Sequence, residues 1–346
     1  MMILSVQSKV IDGPWGGGNL FAKNLIDYLT KNNFDVINDL YNEKIDVILM
    51  TDPLKNSSST NYSFKNIRDY KKFINPNVKI IHRINECDER KNTKHVNKEI
   101  LDCNSIANTT VFVSNWLKKL YEDIGLDNNN KVIISGSDKQ IFNNHGKQAW
   151  DGASNIRIVT HHWGTDVNKG FEIYKILDEM LERGQLDNVD FTYIGNLPKK
   201  FNFKTAQYIE PLQGFELAEE LKKHDIYLTA SKNEPSGNHH IEGAQCGLPL
   251  LYINSGGVVE YCDGYGIPFE SKNDFTNSLQ NLINNFDEYY KKVLKYPNSS
   301  EIMCSEYLEL IQSMVNDQLS KNHKNDKTIN FYKIIYKLNQ IKNILI

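Results

Sequence analysis

The sequence predicts an α/β protein with two doubly wound domains. Short apolar runs that are typical of buried strands alternate with helical patterns along most of the chain, and this alternation predicts mostly parallel sheets covered by helices. It is interrupted by a polar, glycine-containing segment, 138–155. A length of 346 residues is also more typical of two domains than of one. We therefore predict a first domain over 1–140 and a second over 141–325.

The first domain begins with a strand, a glycine-rich loop and a helix. Its candidate strands are residues 3–6, 45–50, 78–82, 110–114 and 131–135. The helix is predicted from Asn19 to about Asn32, because apolar residues recur there at helical spacing. The glycines before it, including Gly17 and Gly18, allow a ligand to approach the backbone closely. Ligands of parallel sheets bind at the carboxyl ends of the strands, where Gly17, Gly18 and His82 are expected to lie.

The second domain repeats the alternation and is organised around the segment 225–260. Its earlier elements are a strand at 156–160, a helix at 169–183, a strand at 189–194 and a helix at 216–223. The segment 225–260 then contains a strand, a loop with Glu234 and Gly237, a helix that Asn238 is expected to cap, and a strand at 250–253. Residues beyond 271 become helical, and the last segment, 326–346, has an amphipathic apolar stripe.

The loop and helix start in segment 225–260 have the chemistry of a nucleotide-sugar site. A glycine loop that leads into a helix N-terminus brings free backbone N–H groups and a helix dipole to one point, which suits a phosphate. Glu234 and Glu242 bracket this point. A carboxylate beside a phosphate is unfavourable unless it binds another group, such as the hydroxyls of a ribose or a hexose. The pattern therefore predicts a sugar-nucleotide ligand.

Composition and charge argue against several other classes of protein. The net charge of −3 gives no general attraction to nucleic acid or anionic lipid, so no nucleic-acid partner is expected. The five cysteines lack C-x-x-C spacing, which argues against a zinc site and a disulfide framework and suits a reducing compartment. The sequence shows no signal-peptide pattern and no apolar run long enough to span a bilayer. We expect a cytoplasmic protein.

One motif in segment 225–260 resembles that of a known family. Glu234-Pro-x-Gly followed by Glu242-Gly-Ala-x-Cys-Gly-x-Pro is similar to the E-x7-E motif of retaining GT-B glycosyltransferases, in particular glycosyltransferase family 4. Similar segments occur in the same order at 16–18, 82–90, 111–117, 169–170, 193–198 and 255–261. The resemblance implies two Rossmann-like domains facing a central cleft, with a final helix, 326–346, that crosses back to the first domain. It also implies retaining transfer of a sugar from UDP- or GDP-hexose to a glycan or lipid-linked acceptor.

The resemblance further implies roles for individual residues. It assigns catalysis to Glu234 and Lys169, with His82 on the acceptor side and Asp88 as a weaker candidate. Glu242 is expected to bind the ribose, and Lys169 the donor phosphates. The implied donor-binding residues are Glu242, Ser236, Gly237, Asn238, His239, His162, Gly17 and Gly18.

The chain departs from the family pattern at one phosphate-binding position. The family usually has an arginine five or six residues before the lysine, but Trp163 and Gly164 stand at these positions before Lys169. This leaves open whether His161 or His162 contacts the phosphate, or whether its charge is balanced in another way. No metal or other cofactor is expected, because the Asp-x-Asp motif of metal-dependent transferases is absent. The resemblance to GT-B enzymes implies that basic side chains and helix dipoles take the place of a metal.

Simpler explanations remain open. Lys169 and Glu234 are also explained as solvated side chains, Glu242 as a partner of the helix dipole, and His82 as a structural residue. For the whole protein, the alternatives are a catalytically degenerate binding or scaffold protein and a nucleotide-sugar epimerase of the same fold. The lysines of 326–346 also allow peripheral contact with a membrane surface.

Overall fold

A computed structural model describes residues 2–11, 16–55, 57–127 and 129–319. It contains two sheets of six strands each, and all the strand pairs within these sheets are parallel. Helices follow most of the strands and cover both sheets. The predicted α/β architecture with two doubly wound halves is therefore confirmed.

The first sheet has the strand order β2-β1-β3-β4-β5-β6. Its strands are β1 (Ile3–Val6), β2 (Asp35–Ile37), β3 (Val47–Met50), β4 (Lys79–Ile84), β5 (Thr109–Phe112) and β6 (Asn130–Val132). The helices of this half are α1 (Gly17–Lys31), α2 (Phe64–Phe73), α3 (Asp88–Lys91), α4 (Val96–Asn104) and α5 (Asn115–Asp123). The strand order reverses beside β1, so the carboxyl end of β1 and the start of α1 lie at the switch point where such sheets bind ligands.

The second sheet has the order β12-β11-β10-β7-β8-β9. Its strands are β7 (Ile156–His162), β8 (Val189–Gly195), β9 (Gln207–Ile209), β10 (Ile226–Thr229), β11 (Leu250–Ile253) and β12 (Gly266–Phe269). Its helices are α6 (Phe171–Glu182), α7 (Gly214–Lys222), α8 (Asn238–Gln245), α9 (Val258–Cys262), α10 (Phe275–Asn284) and α11 (Phe286–Val293), and the last described helix is α12 (Ser300–Leu319). A single 3-10 turn, Val167–Lys169, precedes α6.

The sequence pattern located the buried strands and the edge strand β6 but missed the edge strands β2, β9 and β12. β2 and β9 are three residues each, lie at the ends of their sheets and are half exposed, so they have no apolar run to reveal them. β4 continues two residues beyond the predicted end, so His82 lies inside the strand rather than at its last position. α1 begins at Gly17 rather than Asn19, because the glycines form its first turn.

The helix that returns to the first domain is α12. Its residues Met303, Tyr307 and Ile311 are buried in the core of the first sheet, and the Tyr307 ring packs 5.3 Å from that of Phe21 on α1. Since α12 begins at Ser300, the return crossing starts within the range that the sequence assigned to the second domain. The predicted helix at 326–346 lies outside the described residues. Among the described helices, none combines the length and apolarity that crossing a bilayer requires.

Candidate functional site

A cleft of about 650 Å³ separates the two halves of the molecule, a volume within the usual range of about 300–1,000 Å³ for small-molecule sites. Its walls are the carboxyl ends of β4 and β7, the loop before α1 and the start of α8. Apart from the weaker candidate Asp88, the catalytic and donor-binding residues predicted from the sequence line this cleft. They are Gly17, Gly18, His82, His162, Lys169, Glu234, Ser236, Gly237, Asn238, His239 and Glu242.

Glu234 is the centre of an ionic cluster that joins the two domains. Lys169 Nζ lies 2.5 Å from Glu234 Oε2, and Arg90 Nε lies 2.9 Å from Glu234 Oε1. Only 8% of the Glu234 side chain and 10% of the Lys169 side chain are exposed. The simpler explanation of both as solvated surface residues is therefore wrong. A second Arg90 nitrogen, Nη1, lies 2.7 Å from Glu86 Oε2.

This cluster strongly favours the charged form of Glu234. Burial opposes ionisation of the carboxyl, but the positive charges of Lys169 and Arg90 outweigh it and lower the pKa of Glu234 to about 2. The pKa of Arg90 is raised, mainly by Glu234. Glu234 is therefore a carboxylate at neutral pH, with one cation from each domain on its two oxygens.

Arg90 is positioned by a short helix whose geometry depends on Asp88. The Asp88 carboxylate accepts hydrogen bonds from the backbone N–H groups of His95 (2.9 Å), Val96 (3.0 Å) and Asn97 (3.0 Å). It therefore caps the N-terminus of α4 and fixes α3 beside it. From the second domain, Asn168 Nδ2 donates to the Arg90 carbonyl oxygen at 2.8 Å. Asp88, proposed from sequence as a weak acceptor-side candidate, therefore has a positioning role in this structure.

The N-terminus of α8 faces the cleft without a side-chain cap. The cap residue is Gly237, with φ of 116°, and no side chain of the described residues accepts a hydrogen bond from the first amides of the helix. Asn238 is the first helical residue, so its expected capping role is wrong. A Cβ at Gly237 would lie 2.8 Å from His240 Cε1 and 2.9 Å from His239 Cε1. Only glycine fits here, and the free amides of α8 remain directed at the ligand space.

The N-terminus of α1 reaches the same point from the opposite domain. A Cβ at Gly17 would lie 3.0 Å from Asn238 Oδ1, so the two helix starts are in near contact. The first turns of α1 and α8 contain no acidic residue, and no side chain in the described part of the chain caps either helix. Two positive helix ends therefore converge on the cleft, an arrangement that favours anions.

Glu242 lies one turn into α8 and is buried beside His161. His161 Nε2 is 2.9 Å from Glu242 Oε2, and His161 Nδ1 is 3.1 Å from the Tyr227 hydroxyl. These contacts are consistent with an Nε2–H tautomer that donates to the carboxylate and accepts from the tyrosine. His161, one of the two residues considered as a substitute for the absent arginine, thus holds Glu242 in place.

The other histidines of the cleft point mainly into the second domain. His162 Nε2 lies 2.6 Å from the Tyr174 hydroxyl, and His239 Nε2 lies 2.8 Å from Thr229 Oγ1. Burial lowers the pKa of both imidazoles well below its usual range. His162 and His239 are therefore neutral and offer no positive charge to a phosphate. Burial also lowers the pKa of His240, to about 3.

His82 approaches the cleft from the first domain. Its Nδ1 lies 2.7 Å from Asn104 Oδ1, which also accepts a hydrogen bond from Thr110 Oγ1 at 3.0 Å. Because a carbonyl oxygen only accepts, His82 carries its proton on Nδ1 and presents the lone pair of Nε2. This Nε2 is buried and has no hydrogen-bond partner among the described residues. Burial lowers the pKa of His82 to about 4.

Two further segments that the family resemblance included meet across the domains. The Glu260 carboxylate, at the start of α9, accepts hydrogen bonds from the backbone N–H groups of Asn115 (2.8 Å) and Trp116 (2.6 Å), the first residues of α5. The Tyr261 hydroxyl donates to the Val113 carbonyl oxygen at 2.5 Å. These contacts hold the second domain against the first beside the cleft.

Comparison with solved structures identifies the architecture. No protein-family model matches the chain, and no curated protein matches its sequence. A sucrose-phosphate synthase from Thermosynechococcus elongatus superposes with a TM-score of 0.66 at 12% identity, covering 92% of this chain and 100% of the other. HepE from Anabaena in complex with UDP-glucose gives a TM-score of 0.63 at 14% identity, covering 92% and 99%. A glycosyltransferase from Rickettsia africae gives 0.61 at 15% identity, covering 91% and 98%.

The chain has the GT-B fold. In this GT-B architecture most of the cleft residues were predictable from the sequence, but Arg90, the cation that the first domain supplies, was not. Arg90 stands at the end of the segment 82–90 that the resemblance already included. The available signal was a basic residue two positions after Asp88, but nothing in the sequence indicated that it would contact Glu234, 144 residues further along the chain.

Proposed function

We propose that this protein is a retaining glycosyltransferase that takes a sugar from a UDP- or GDP-hexose and transfers it to a glycan or lipid-linked acceptor. The observation that carries the proposal is the buried Glu234 carboxylate, held between Lys169 of one domain and Arg90 of the other at the uncapped start of α8. The structural neighbours support the same class, since one of them contains UDP-glucose.

On the donor side, the free amides of α8 and the Lys169 ammonium are placed to hold the diphosphate. Arg90 supplies a second cation from the first domain. It takes the place of the absent arginine in balancing the negative charge of the diphosphate. Glu242, fixed by His161 at 2.9 Å, is placed to bind the ribose hydroxyls. Fixed positive groups of this kind stabilise the negative charge that develops on a departing diphosphate. We propose that no metal takes part in this step.

At the reaction centre, Glu234 and His82 have complementary properties. Glu234 is an ionised acceptor of hydrogen bonds and is placed to bind hydroxyls of the transferring hexose. The unpartnered Nε2 of neutral His82 is placed to accept a hydrogen bond from a hydroxyl on the opposite wall. In a retaining reaction the acceptor oxygen enters from the face that the diphosphate leaves, so the diphosphate is the base nearest to the incoming hydroxyl. Lys169 and Arg90 then stabilise the diphosphate as it departs.

The first test is ligand binding followed by turnover. A thermal-shift panel of UDP, GDP and ADP with their hexose derivatives should show stabilisation by one base, since a ligand at a hundredfold excess over its Kd adds about 2.7 kcal/mol. Glu234→Gln and Lys169→Met should then reduce donor hydrolysis or transfer by about 100-fold or more. Lys175→Met is the matched control, because Lys175 lies on α6 with a side chain that is 64% exposed.

The outcomes distinguish the alternatives. Binding of a nucleotide without any turnover would favour the scaffold protein. Conversion of the donor sugar without an acceptor, and without release of the nucleotide, would favour the epimerase. Near-normal turnover in Glu234→Gln would contradict the assignment of the site itself.

A further inference from the structure

Arg83 is a buried cation in the wall of the cleft that the proposed donor site does not use. It is 6% exposed, lies on β4 directly after His82, and lines the cleft. No carboxylate of the described residues lies within 4 Å of its guanidinium, unlike Arg90 and Lys169. A buried charge without a counter-ion is costly. Such a group is therefore a candidate for binding an anion that comes from outside the chain.

The neighbours of Arg83 hold the guanidinium but do not neutralise it. Its central carbon lies 4.0 Å from the centroid of the Phe21 ring, a cation–π contact. The hydroxyl-bearing rings of Tyr307 and Tyr261 are the other groups that interact with its charge. These aromatic residues fix the position of Arg83 in a dry environment, where a hydrogen bond to an anion is stronger than it is in water.

The N-terminus of α1 lies beside this guanidinium. Phe21, which contacts Arg83, stands four residues after Gly17, the first residue of α1, so about 6 Å of helix separates the two along the axis. The first turn of α1 has no acidic residue, and among the described residues no side chain caps it. The Asn19 side chain donates to the Ile11 carbonyl oxygen (2.8 Å) and accepts from the Ile11 N–H (2.9 Å). The Asn19 N–H donates to the Gly16 carbonyl oxygen at 3.0 Å, so the amides of Gly17 and Gly18 and the buried arginine occupy the same corner of the first domain.

This corner is on the acceptor side of the cleft. Arg83 follows His82 on β4, whereas Lys169, Glu234 and the start of α8 belong to the second domain. The adjoining wall of the first domain is also polar and includes Ser8, Lys9 and Ser59. The donor diphosphate already has Lys169 and Arg90 as cations.

We infer that the acceptor carries a phosphate or carboxylate group, and that Arg83 with the first amides of α1 binds it. The assignment of this anion to the acceptor rests on the proposed transferase function. Anion binding at Arg83 is testable without turnover. The same positive corner would also attract the donor diphosphate. The experiment must therefore distinguish an anion on the acceptor from the diphosphate of the donor.

The test is calorimetric titration of inorganic phosphate into the protein alone and into the protein saturated with the nucleotide that the thermal-shift panel selects. We expect phosphate to bind both forms. Arg83→Met should weaken phosphate binding by about 10-fold or more, the effect of losing hydrogen bonds to a charged group, while nucleotide affinity stays within about twofold. Arg83→Lys should retain part of the affinity, since it keeps the charge but not the planar fork. Arg68→Met is the control, because the Arg68 side chain on α2 is 52% exposed.

Three results would overturn the inference. Competition between phosphate and nucleotide, or equal loss of both ligands in Arg83→Met, would assign Arg83 to the donor site. If Arg83→Met binds phosphate with unchanged affinity, Arg83 does not bind the anion and only packs over Phe21. If Arg83→Met does not fold, the wild-type titrations decide: phosphate binding to the nucleotide-saturated protein supports the inference, and competition refutes it. Failure of every nucleotide to bind would count against the proposed function, while phosphate binding to the protein alone would still report on Arg83.

Discussion

Replacing Arg90 by methionine tests the role of the cation that the first domain contributes. In the wild-type protein, Lys169 and Arg90 overcome the effect of burial and lower the pKa of Glu234 from 4.5 to about 2. This difference corresponds to about 3 kcal/mol in favour of the carboxylate, at about 1.36 kcal/mol for each pH unit. Arg90→Met removes one of the two cations, so we expect the pKa of Glu234 to move back towards 4.5.

Two measurements follow from this change. Because the pKa of Glu234 is depressed in the folded state, its contribution to stability is complete above pH 4.5 and is lost as the pH falls towards 2. In Arg90→Met this contribution should be smaller and should disappear at a higher pH, which denaturant unfolding between pH 2 and 6 would measure. The transfer rate should also fall, with kcat reduced by about 100- to 1,000-fold, the typical effect of removing one donor aimed at developing charge.

Controls separate this effect from a general loss of positive charge. Lys94→Met removes a charge from the exposed loop after α3 and should leave kcat near the wild-type value. Arg90→Lys should recover part of the activity, because lysine keeps the charge but cannot reach Glu234 and Glu86 with two nitrogens in the geometry of Arg90. A folded Arg90→Met enzyme with kcat within about threefold of wild type would refute the role of Arg90 as a counter-ion of the diphosphate.

Three further predictions concern other parts of the cleft. Glu242→Gln should raise the Kd for the nucleotide by about 10-fold while leaving the fold intact, because the site loses a carboxylate that accepts from hydroxyl donors. Calorimetry with the free nucleotide would check this, and an unchanged Kd would contradict the ribose assignment. The pKa of His82 is lowered from 6.5 to about 4, so the folded state favours the neutral imidazole. Its contribution to stability is complete above pH 6.5 and is lost as the pH falls towards 4. Wild type should therefore lose stability over this range, and His82→Gln should lose about 3 kcal/mol less if the whole shift is realised. EDTA should leave the transfer rate unchanged. If EDTA abolishes activity and Mg²⁺ or Mn²⁺ restores it, the basic residues and helix ends alone do not stabilise the departing diphosphate.

The sequence alone determined the architecture and the location of the cleft. Apolar runs predicted the central strands, since a strand covered on both faces must be apolar along its length. Gly237 and the glycines at the start of α1 indicated positions where the backbone approaches a ligand or a neighbouring ring. The spacing of Glu234 and Glu242 across the start of one helix predicted two carboxylates beside an anion site, because local sequence determines local geometry.

The tertiary structure decided which charged groups meet. Arg90 and Glu234 are 144 residues apart, and their 2.9 Å contact depends on how the two domains face each other, which no local pattern encodes. The same holds for His162, whose ring nitrogen contacts Tyr174 instead of facing a phosphate. It also holds for Arg83, which is buried beside Phe21 with no carboxylate of the described residues as its partner. Periodicity in a sequence reports which positions are buried. The partner of a buried polar group depends on the packing of distant segments. Here that packing brings Arg90 of the first domain to Glu234 of the second.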